Sequence, residues 1–328
     1  MTAPLRAAVV GVGYLGRFHA RKYAELPDVE LVAVVDVDAD RAAALAAELD
    51  TEALSDHRLL PGRVDVASVV TPTDAHHEVA ADLLNAGIHC LVEKPLTPTV
   101  EEGRELVALA RRRGVVLQVG HLERFNPVVV GARPHVDGPL FIESHRVARS
   151  RRRGTEVSVV LDLMIHDIDL ILELVAAPLR RIHANGVAVL SGDIDIANAR
   201  LEFDNGCVAN VTASRVSLKS ERMLRMFQRR SYLALDLHNG SLEIRRKGDS
   251  SLDPEIPGID SERHSFRRGD ALRAEIEALL ESIRTGDPPV VSGEEGLRAL
   301  STALEVTRQV RANATAGNLR EAGGWVDE

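Results

Sequence analysis

The feature that most constrains this chain is a set of three glycines, Gly11, Gly13 and Gly16, which directly follow an apolar run near its start. Asp36 stands twenty positions after the last glycine, at the end of a second apolar run, LVAVVD. Glycines at this spacing let a strand turn into a helix whose N-terminal N–H groups approach a pyrophosphate. An acid about 20 residues further on suits the hydroxyls of an adenosine ribose. The pattern therefore predicts a dinucleotide site, with contacts from Gly11, Gly13, Tyr14, Leu15, Gly16 and Asp36.

Strand and helix patterns alternate over the first 120 residues. Short apolar runs typical of buried strands cover 7–10, 31–35, 66–70, 89–92 and 115–119. Amphipathic segments typical of helices cover 15–24, 39–49, 75–85 and 100–113, and Gly114 stands where a helix C-cap is expected. Alternating units of this kind form parallel sheets with helices on both faces. We therefore predict an α/β fold, with a Rossmann doubly wound parallel sheet over residues 1–120 that binds the dinucleotide.

A different pattern follows residue 120, where strand-length runs are separated by turn signals. The expected strands cover 140–147, 181–190, 196–203, 207–214, 223–229, 232–237 and 242–246, and the expected helices cover 159–175, 270–284 and 294–313. Two of the connections, Asp204-Asn205-Gly206 and His238-Asn239-Gly240, have hairpin-turn sequences. The stretch 248–269 indicates a long polar loop. Residues 121–328 are thus predicted to form an α+β domain with a large, mostly antiparallel open sheet.

The composition argues against several classes of function. A net charge of −9 disfavours a general affinity for nucleic acid or membrane surfaces. No apolar run reaches the roughly 20 residues of a membrane span, and the first residues lead into a strand pattern without a signal sequence. Cys90 and Cys207 lie in apolar runs and are too few for a disulfide framework. We therefore expect a cytoplasmic protein.

Lysine is rare in this chain, and its rarity draws attention to Lys94. Only four of the 40 basic residues are lysines, and Lys94 directly follows a buried strand. A lysine supplies a compact ammonium group, which an arginine does not. The alternative is an ordinary surface lysine. Because ligands of doubly wound sheets bind beyond the carboxyl ends of the strands, residues that follow strands should border the cofactor. These residues are Thr71, Pro72, Glu93, Lys94 and Pro95.

Asp162 and His166 stand four residues apart in LDLMIHDIDL, a spacing that places both side chains on one face of a helix. Asp169 continues the same stripe, and apolar neighbours indicate that the helix is mostly buried. A histidine with a partner carboxylate suits proton abstraction from an alcohol. The alternative is a hydrogen-bonded structural pair. No metal site is expected, because one histidine without a cysteine or a second ligand cluster nearby is a poor zinc site.

Five arginines crowd the segment from Arg146 to Arg153, which the sequence pattern indicates is a loop. They are Arg146, Arg149, Arg151, Arg152 and Arg153. Two interpretations stay open. The run can be a solvated charge cluster, as most such runs are. It can also clamp a phosphate or diphosphate of the substrate, for which a bidentate guanidinium group is well suited.

The segments GVGYLG, TPTDAHH, VEKPLT and DLMIHDID occur in this order, and the set resembles the Gfo/Idh/MocA family of oxidoreductases over essentially the whole chain. The resemblance implies that the family's lysine is Lys94, that its helix aspartate and histidine are Asp162 and His166, and that His76 is its histidine after the Thr-Pro turn. It also implies NAD or NADP in the first domain. The second domain would bind the substrate and form a homodimer or homotetramer through its open sheet.

The run VGHLERFNP, together with VVLDLMIHDIDLIL, is similar to the branch of this family that oxidises UDP-N-acetylglucosamine at the sugar 3-position. In that branch the keto product goes to a PLP aminotransferase, which yields a 3-amino sugar for lipid A. The resemblance implies a UDP-sugar as the substrate and the aminotransferase as a downstream partner. The expected substrate contacts are Lys94, His121, Arg124, Asn126, Arg149, Arg153, Asp162 and His166.

The predicted reaction is the NAD-dependent oxidation of a secondary hydroxyl. His166 would take the hydroxyl proton, Lys94 would stabilise the developing alkoxide, and Asp162 would orient the histidine or a neighbouring hydroxyl. NAD is expected over NADP, because Asp36 repels a 2′-phosphate and the next arginine, Arg41, does not immediately follow it. Two alternatives stay open: a dehydrogenase of a free polyol or inositol, and a non-catalytic protein that senses NAD and a sugar.

Overall fold

The structure is a computed structural model, and it describes residues 3–149, 158–191, 193–248, 258–267 and 269–321. Two units make up the chain. The first unit comprises Met1–Phe125 and Asp270–Leu300, and the second comprises Asn126–Gly269 and Ser301–Glu328. The sequence predicted two continuous domains, 1–120 and 121–328, so the segment that begins at Asp270 groups differently from that expectation. Its helix α7 (Ala271–Thr285) places apolar side chains in the core around the first strand, and those residues are Ile276, Leu279 and Leu280.

Six parallel strands form the sheet of the first unit. They are β1 (Leu5–Val10), β2 (Val29–Val35), β3 (Glu52–Leu54), β4 (Val66–Val69), β5 (His89–Glu93) and β6 (Leu117–Gly120). Their order is β3-β2-β1-β4-β5-β6, and every neighbouring pair is parallel. This order confirms the predicted doubly wound sheet. The chain reverses its direction of winding between β1 and β4, so the carboxyl ends of these two strands are the expected ligand position.

The helices of the first unit largely keep their predicted bounds. They are α1 (Gly16–Glu25), α2 (Ala39–Leu49), α3 (His76–Asn85) and α4 (Val100–Arg113), with α7 added from the later segment. Helix α4 begins with a capping box, in which the Thr99 side chain accepts from the Glu102 N–H and Glu102 accepts from the Thr99 N–H. It ends at Gly114, whose φ of 67° is left-handed, as the sequence predicted.

Eight strands form the sheet of the second unit. They are β7 (Phe141–Arg149), β8 (Leu179–Val187), β9 (Ile196–Phe203), β10 (Val208–Ser217), β11 (Glu221–Phe227), β12 (Ser231–Asp236), β13 (Ser241–Lys247) and β14 (Ile259–Ser265). Their order is β14-β13-β12-β11-β7-β10-β9-β8. Among the described strands of this second sheet, only β7 and β10 pair in parallel, which confirms the predicted mostly antiparallel sheet.

Part of the predicted loop 248–269 is a strand. Strand β14 pairs with β13 from Ser241–Ser265 to Lys247–Ile259, so the loop prediction was wrong for Ile259–Ser265. The side chains of β14 are half-buried or exposed along its whole length. An edge strand of this kind lacks the alternation of apolar and polar residues by which a strand is recognised in sequence. Residues 249–257 lie outside the described residues.

In the described part of the second unit, one helix precedes β7 and another follows it. The long final helix α8 (Gly293–Glu321) begins with residues of the first unit and continues with residues of the second. Helix α5 spans Pro127–Ala132 and α6 spans Ile165–Val175. A single π-helical stretch, Val160–Met164, precedes α6, whereas the sequence predicted one uninterrupted helix over 159–175. None of the helices in the described part of the chain combines the length and apolar character needed to cross a bilayer.

Arg146 lies within strand β7, as the expected strand over 140–147 predicted, and not in the charged loop to which the arginine run was also assigned. Its side chain is 4% exposed, and its Nε donates to Oδ2 of Asp167 at 2.6 Å. Asp167, on α6, is equally buried. The solvated-cluster interpretation is therefore wrong for Arg146. The side chain of Arg149 lies outside the described part of the structure, as do Arg151, Arg152 and Arg153, so the clamp interpretation is untested for those four.

The buried Arg146–Asp167 pair leads to a prediction about the free energies of unfolding of single and double variants. Arg146→Met leaves a buried carboxylate without its cation and should lower the free energy of unfolding by about 3–5 kcal/mol, measured by urea denaturation. The double variant Arg146→Met with Asp167→Leu should recover most of that loss. As a control, Arg200→Ala breaks an exposed pair with Glu202 and should cost less than about 1 kcal/mol. Equal losses in the single and double variants would contradict this role.

Candidate functional site

The turn between β1 and α1 brings a helix N-terminus against the end of a strand. A Cβ atom on Gly16 would lie 1.8 Å from the Gly11 carbonyl oxygen, so only glycine permits this approach. Gly11 has a left-handed φ of 87° and lies against the backbone that follows β4. Nothing lies within 4 Å of a Cβ atom on Gly13. The turn therefore packs tightly at Gly11 and Gly16 and leaves open space at Gly13, as a bound pyrophosphate requires.

A cavity of about 690 Å³ lies beside this turn, within the first unit. It is formed by the carboxyl ends of β1, β2 and β4, and the predicted cofactor residues on its wall are Gly11, Gly13, Asp36, Thr71 and Pro72. Tyr14 and Leu15 are exposed at the start of α1, where the Tyr14 ring lies 5.4 Å from Phe18. The cavity has the size and position expected for the adenosine half of a dinucleotide.

Asp36 lies at the end of β2 and is 6% exposed. Its carboxylate accepts hydrogen bonds from the N–H groups of Val12 and Asp38, each at 2.9 Å. The Arg41 guanidinium lies 3.2 Å from both carboxylate oxygens and also pairs with Asp38. From its position five residues after Asp36, Arg41 was not expected to reach the carboxylate. It does so because the first turn of α2 brings residue 41 back to the end of β2.

His76 joins the two loops that follow β4 and β5. It is 1% exposed, and its ring nitrogens lie 2.9 Å from the Thr71 carbonyl oxygen and 3.0 Å from that of Pro95. The predicted cofactor residues on both loops are therefore held together by one buried ring. A direct contact between His76 and the cofactor stays a prediction.

Glu93 and Lys94 end strand β5. Glu93 is 8% exposed, and its carboxylate accepts a hydrogen bond from the Lys94 N–H at 3.2 Å. Its other oxygen lies 3.2 Å from Nε2 of His19, a fully buried residue of α1. The sequence analysis did not single out His19. A signal was available, because His19 follows Gly16 by three residues and so lies one turn along the helix that starts at the glycine turn.

Three predicted substrate residues, His121, Arg124 and Asn126, follow β6. His121 is 1% exposed, and Arg124 is 2% exposed with its guanidinium 3.4 Å from Glu295. The Asn126 side chain caps α5 by accepting from the Val128 N–H at 3.1 Å. The described contacts of Arg124 and Asn126 support the local fold. Contact of these three residues with a substrate stays a prediction.

Asp162 and His166 are both half-buried, whereas Asp169 is 1% exposed. Asp162 lies in the π-helical stretch and His166 in the first turn of α6, so the predicted regular helical stripe is interrupted between them. Both side chains belong to the second unit. Among the described residues, no group of three or more His, Cys, Asp or Glu is arranged to hold a metal ion.

Two family models match this chain. The family model described as an oxidoreductase family with an NAD-binding Rossmann fold (Gfo/Idh/MocA) matches residues 5–121, and the model of the Gfo/Idh/MocA C-terminal domain matches residues 130–232. UDP-N-acetylglucosamine 3-dehydrogenase of Acidithiobacillus ferrooxidans is 40% identical over 94% of this chain and 98% of its own length. A solved structure of that protein has a TM-score of 0.90 and covers 95% of this chain and 99% of the other.

More distant relatives act on inositols. The scyllo-inositol 2-dehydrogenase (NAD(+)) of Bacillus subtilis is 28% identical over 95% of this chain and 95% of its own. The structure of scyllo-inositol dehydrogenase from Lactobacillus casei, solved with NAD(H) and scyllo-inositol, has a TM-score of 0.79 at 19% identity, with 94% of this chain and 98% of that chain covered. At that identity the likeness shows a shared fold.

The Asp36–Arg41 pair predicts how cofactor choice can be changed. Asp36→Ser removes the carboxylate that is predicted to accept from the ribose hydroxyls, and it takes away one of the two carboxylate partners of Arg41, which can then turn toward a 2′-phosphate. The Kd for NADH should rise at least about tenfold, the effect of losing one charge-assisted hydrogen bond, while the Kd for NADPH falls. Adding Arg41→Ala should abolish the gain for NADPH. Fluorescence titration of both reduced cofactors measures these changes.

The surface pair of Arg63 and Glu52 supplies the control for this experiment, because it does not line the cavity. Arg63→Ala should leave both dissociation constants unchanged. Unmodified protein that binds NADPH as tightly as NADH would contradict the role given to Asp36.

Proposed function

The chain belongs to the Gfo/Idh/MocA family of NAD-binding oxidoreductases, and we propose that it oxidises the 3-hydroxyl of UDP-N-acetylglucosamine to a ketone. The observation that carries this proposal is the 40% identity to the Acidithiobacillus ferrooxidans 3-dehydrogenase across 94% of this chain. The inositol dehydrogenases among its relatives are 25–30% identical over comparable lengths. The cofactor cavity and its buried Asp36 support NAD as the oxidant.

The proposed chemistry assigns one task to each of three side chains. His166 accepts the proton of the sugar hydroxyl, Lys94 stabilises the negative charge that develops on the oxygen, and Asp162 orients the imidazole. Bound NAD supplies the hydride acceptor. These roles rest on the motifs in which the three residues stand, together with the position of Lys94 at the end of β5, beside the strand ends that line the cavity.

The surroundings of the reaction follow from the same proposal. We expect the enzyme to work in the cytoplasm as a homodimer or homotetramer, and to hand its keto sugar to a PLP-dependent aminotransferase. The resulting amino sugar would serve lipid A synthesis. A consumer of the ketone is chemically necessary, because the oxidation of a secondary alcohol by NAD is uphill. The arginines at 149 and 153 are the proposed contacts for the UDP diphosphate.

The proposed substrate can be tested by incubating the protein with NAD and a panel of UDP-sugars, myo-inositol and scyllo-inositol. A ketone trap, such as hydroxylamine or the aminotransferase, removes the unfavourable equilibrium. UDP-N-acetylglucosamine should give the highest rate of NADH formation, followed at 340 nm. A higher rate with a free inositol would replace the proposed substrate, and binding of NADH without turnover of any member of the panel would favour the non-catalytic alternative.

A second prediction concerns the general base. His166→Ala should lower kcat by about 10²–10⁴-fold, the usual contribution of a well-placed proton acceptor, while the Kd for NADH stays within about threefold. His183→Ala is the matched control, because His183 is an exposed histidine of the same unit. An unchanged kcat in His166→Ala would remove His166 from the mechanism.

A further inference from the structure

A continuous chain of buried polar side chains runs through the first unit to the Lys94 loop. The Tyr23 hydroxyl lies 3.0 Å from Oγ of Ser68, and Ser68 Oγ lies 3.2 Å from Nδ1 of His19. Nε2 of His19 lies 3.2 Å from Oε1 of Glu93. Tyr23, Ser68 and His19 are 0% exposed and Glu93 is 8% exposed. Burying a polar group costs free energy unless the group is hydrogen-bonded. These four buried side chains are therefore expected to serve either the site or the stability of the fold.

One arrangement of protons satisfies every member of the chain with a neutral imidazole. The Glu93 carboxylate only accepts, so His19 Nε2 carries the proton and Nδ1 is the acceptor. Ser68 then donates to Nδ1, and Tyr23 donates to Ser68. Burial raises the pKa of Tyr23, which keeps the phenol protonated and able to donate. All the hydrogen bonds of this series therefore run in one direction, from Tyr23 to Glu93, and the last donor is the Nε2–H of His19.

Glu93 is fixed from two further sides. Its second oxygen accepts from the backbone N–H of Lys94 at 3.2 Å. On β6, a Cβ atom at Gly120 would lie 2.8–2.9 Å from the carboxylate atoms, so the missing side chain there makes room for the carboxylate. The same carboxylate therefore joins α1, the neighbouring strand β6 and the start of the Lys94 loop.

We propose that His19 is a positioning residue: it holds Glu93, and through Glu93 it fixes the backbone from which the Lys94 side chain projects. This inference rests on the proposed function, in which Lys94 acts on the reacting oxygen. Since α1 starts at the glycine turn, the contact also links the helix facing the pyrophosphate to the lysine. An apolar residue at position 19 would fill the space but would remove the hydrogen bond that holds Oε1 of Glu93.

Two substitutions separate positioning from packing. The amide of Gln reaches as far as imidazole Nε2 and can still donate to Glu93, whereas the amide of Asn reaches only to the Nδ1 position, near Ser68. His19→Asn should lower kcat at least about tenfold, which corresponds to one charge-assisted hydrogen bond. His19→Gln should recover to within about threefold of the unmodified enzyme. In both variants the Kd for NADH should stay within about threefold.

The scarcity of lysine supplies a readout that needs no turnover. The chain has only Lys22, Lys94, Lys219 and Lys247, so reductive ¹³C-methylation gives four resolvable lysine signals, and Lys94→Arg assigns the relevant one. His19→Asn should shift or broaden the Lys94 signal, and His19→Gln should not. The other three signals serve as internal controls. His77→Asn, at a partly exposed histidine that pairs with Glu105, is the matched substitution and should change nothing.

The outcomes distinguish this inference from the function on which it rests. If the unmodified protein turns over no UDP-sugar, the proposed function fails, and the Lys94 signal still decides the role of His19. If His19→Asn leaves the Lys94 signal unchanged and alters only the unfolding midpoint, the positioning role is overturned. Should His19→Asn not fold, Ser68→Ala removes the donor to Nδ1 and should perturb the Lys94 signal in the same direction; an unperturbed signal there also overturns the proposal.

Discussion

The close approach of Gly16 to the Gly11 carbonyl is the constraint on which the first unit depends. It allows α1 to begin directly against the end of β1, where its N-terminal N–H groups face the space that Gly13 leaves open. The same approach sets the position of the next helical turn. His19 lies on that turn. The contact between Gly16 and Gly11 therefore also sets the position from which His19 contacts Glu93, next to Lys94.

Two buried carboxylates, Asp36 and Glu93, lie at the carboxyl end of the parallel sheet. Asp36 directly follows β2 and accepts from the backbone N–H groups of Val12, after β1, and of Asp38. Glu93 ends β5 and accepts from the backbone N–H of Lys94. Each also contacts one side chain from a helix, Arg41 for Asp36 and His19 for Glu93. Such bonding stabilises a carboxylate that burial alone would penalise. It also holds the acid in one orientation before any ligand binds.

The sequence predicted local features better than contacts between distant segments. The glycine turn, five of the six parallel strands and the bounds of α2 and α4 follow from patterns within about 20 residues, and they were predicted correctly. The short strand β3 (Glu52–Leu54) was not predicted. The Arg41–Asp36 contact, the Arg146–Asp167 pair and strand β14 were not predicted either, because a helical turn, a partner on another element and an exposed sheet edge leave little trace in local periodicity. The return of α7 to the first core is likewise a tertiary effect. The predicted Asp162–His166 stripe ignored the π-helical turn, which has no reliable sequence signal.

The central claim is that a hydride leaves carbon 3 of the sugar for NAD bound by this chain. UDP-N-acetylglucosamine carrying deuterium at that carbon tests it directly, in a single turnover with the protein in excess and with mass analysis of the nicotinamide. We expect NADH that carries the deuterium. Unlabelled NADH, or a sugar that keeps both its deuterium and its hydroxyl, would contradict it.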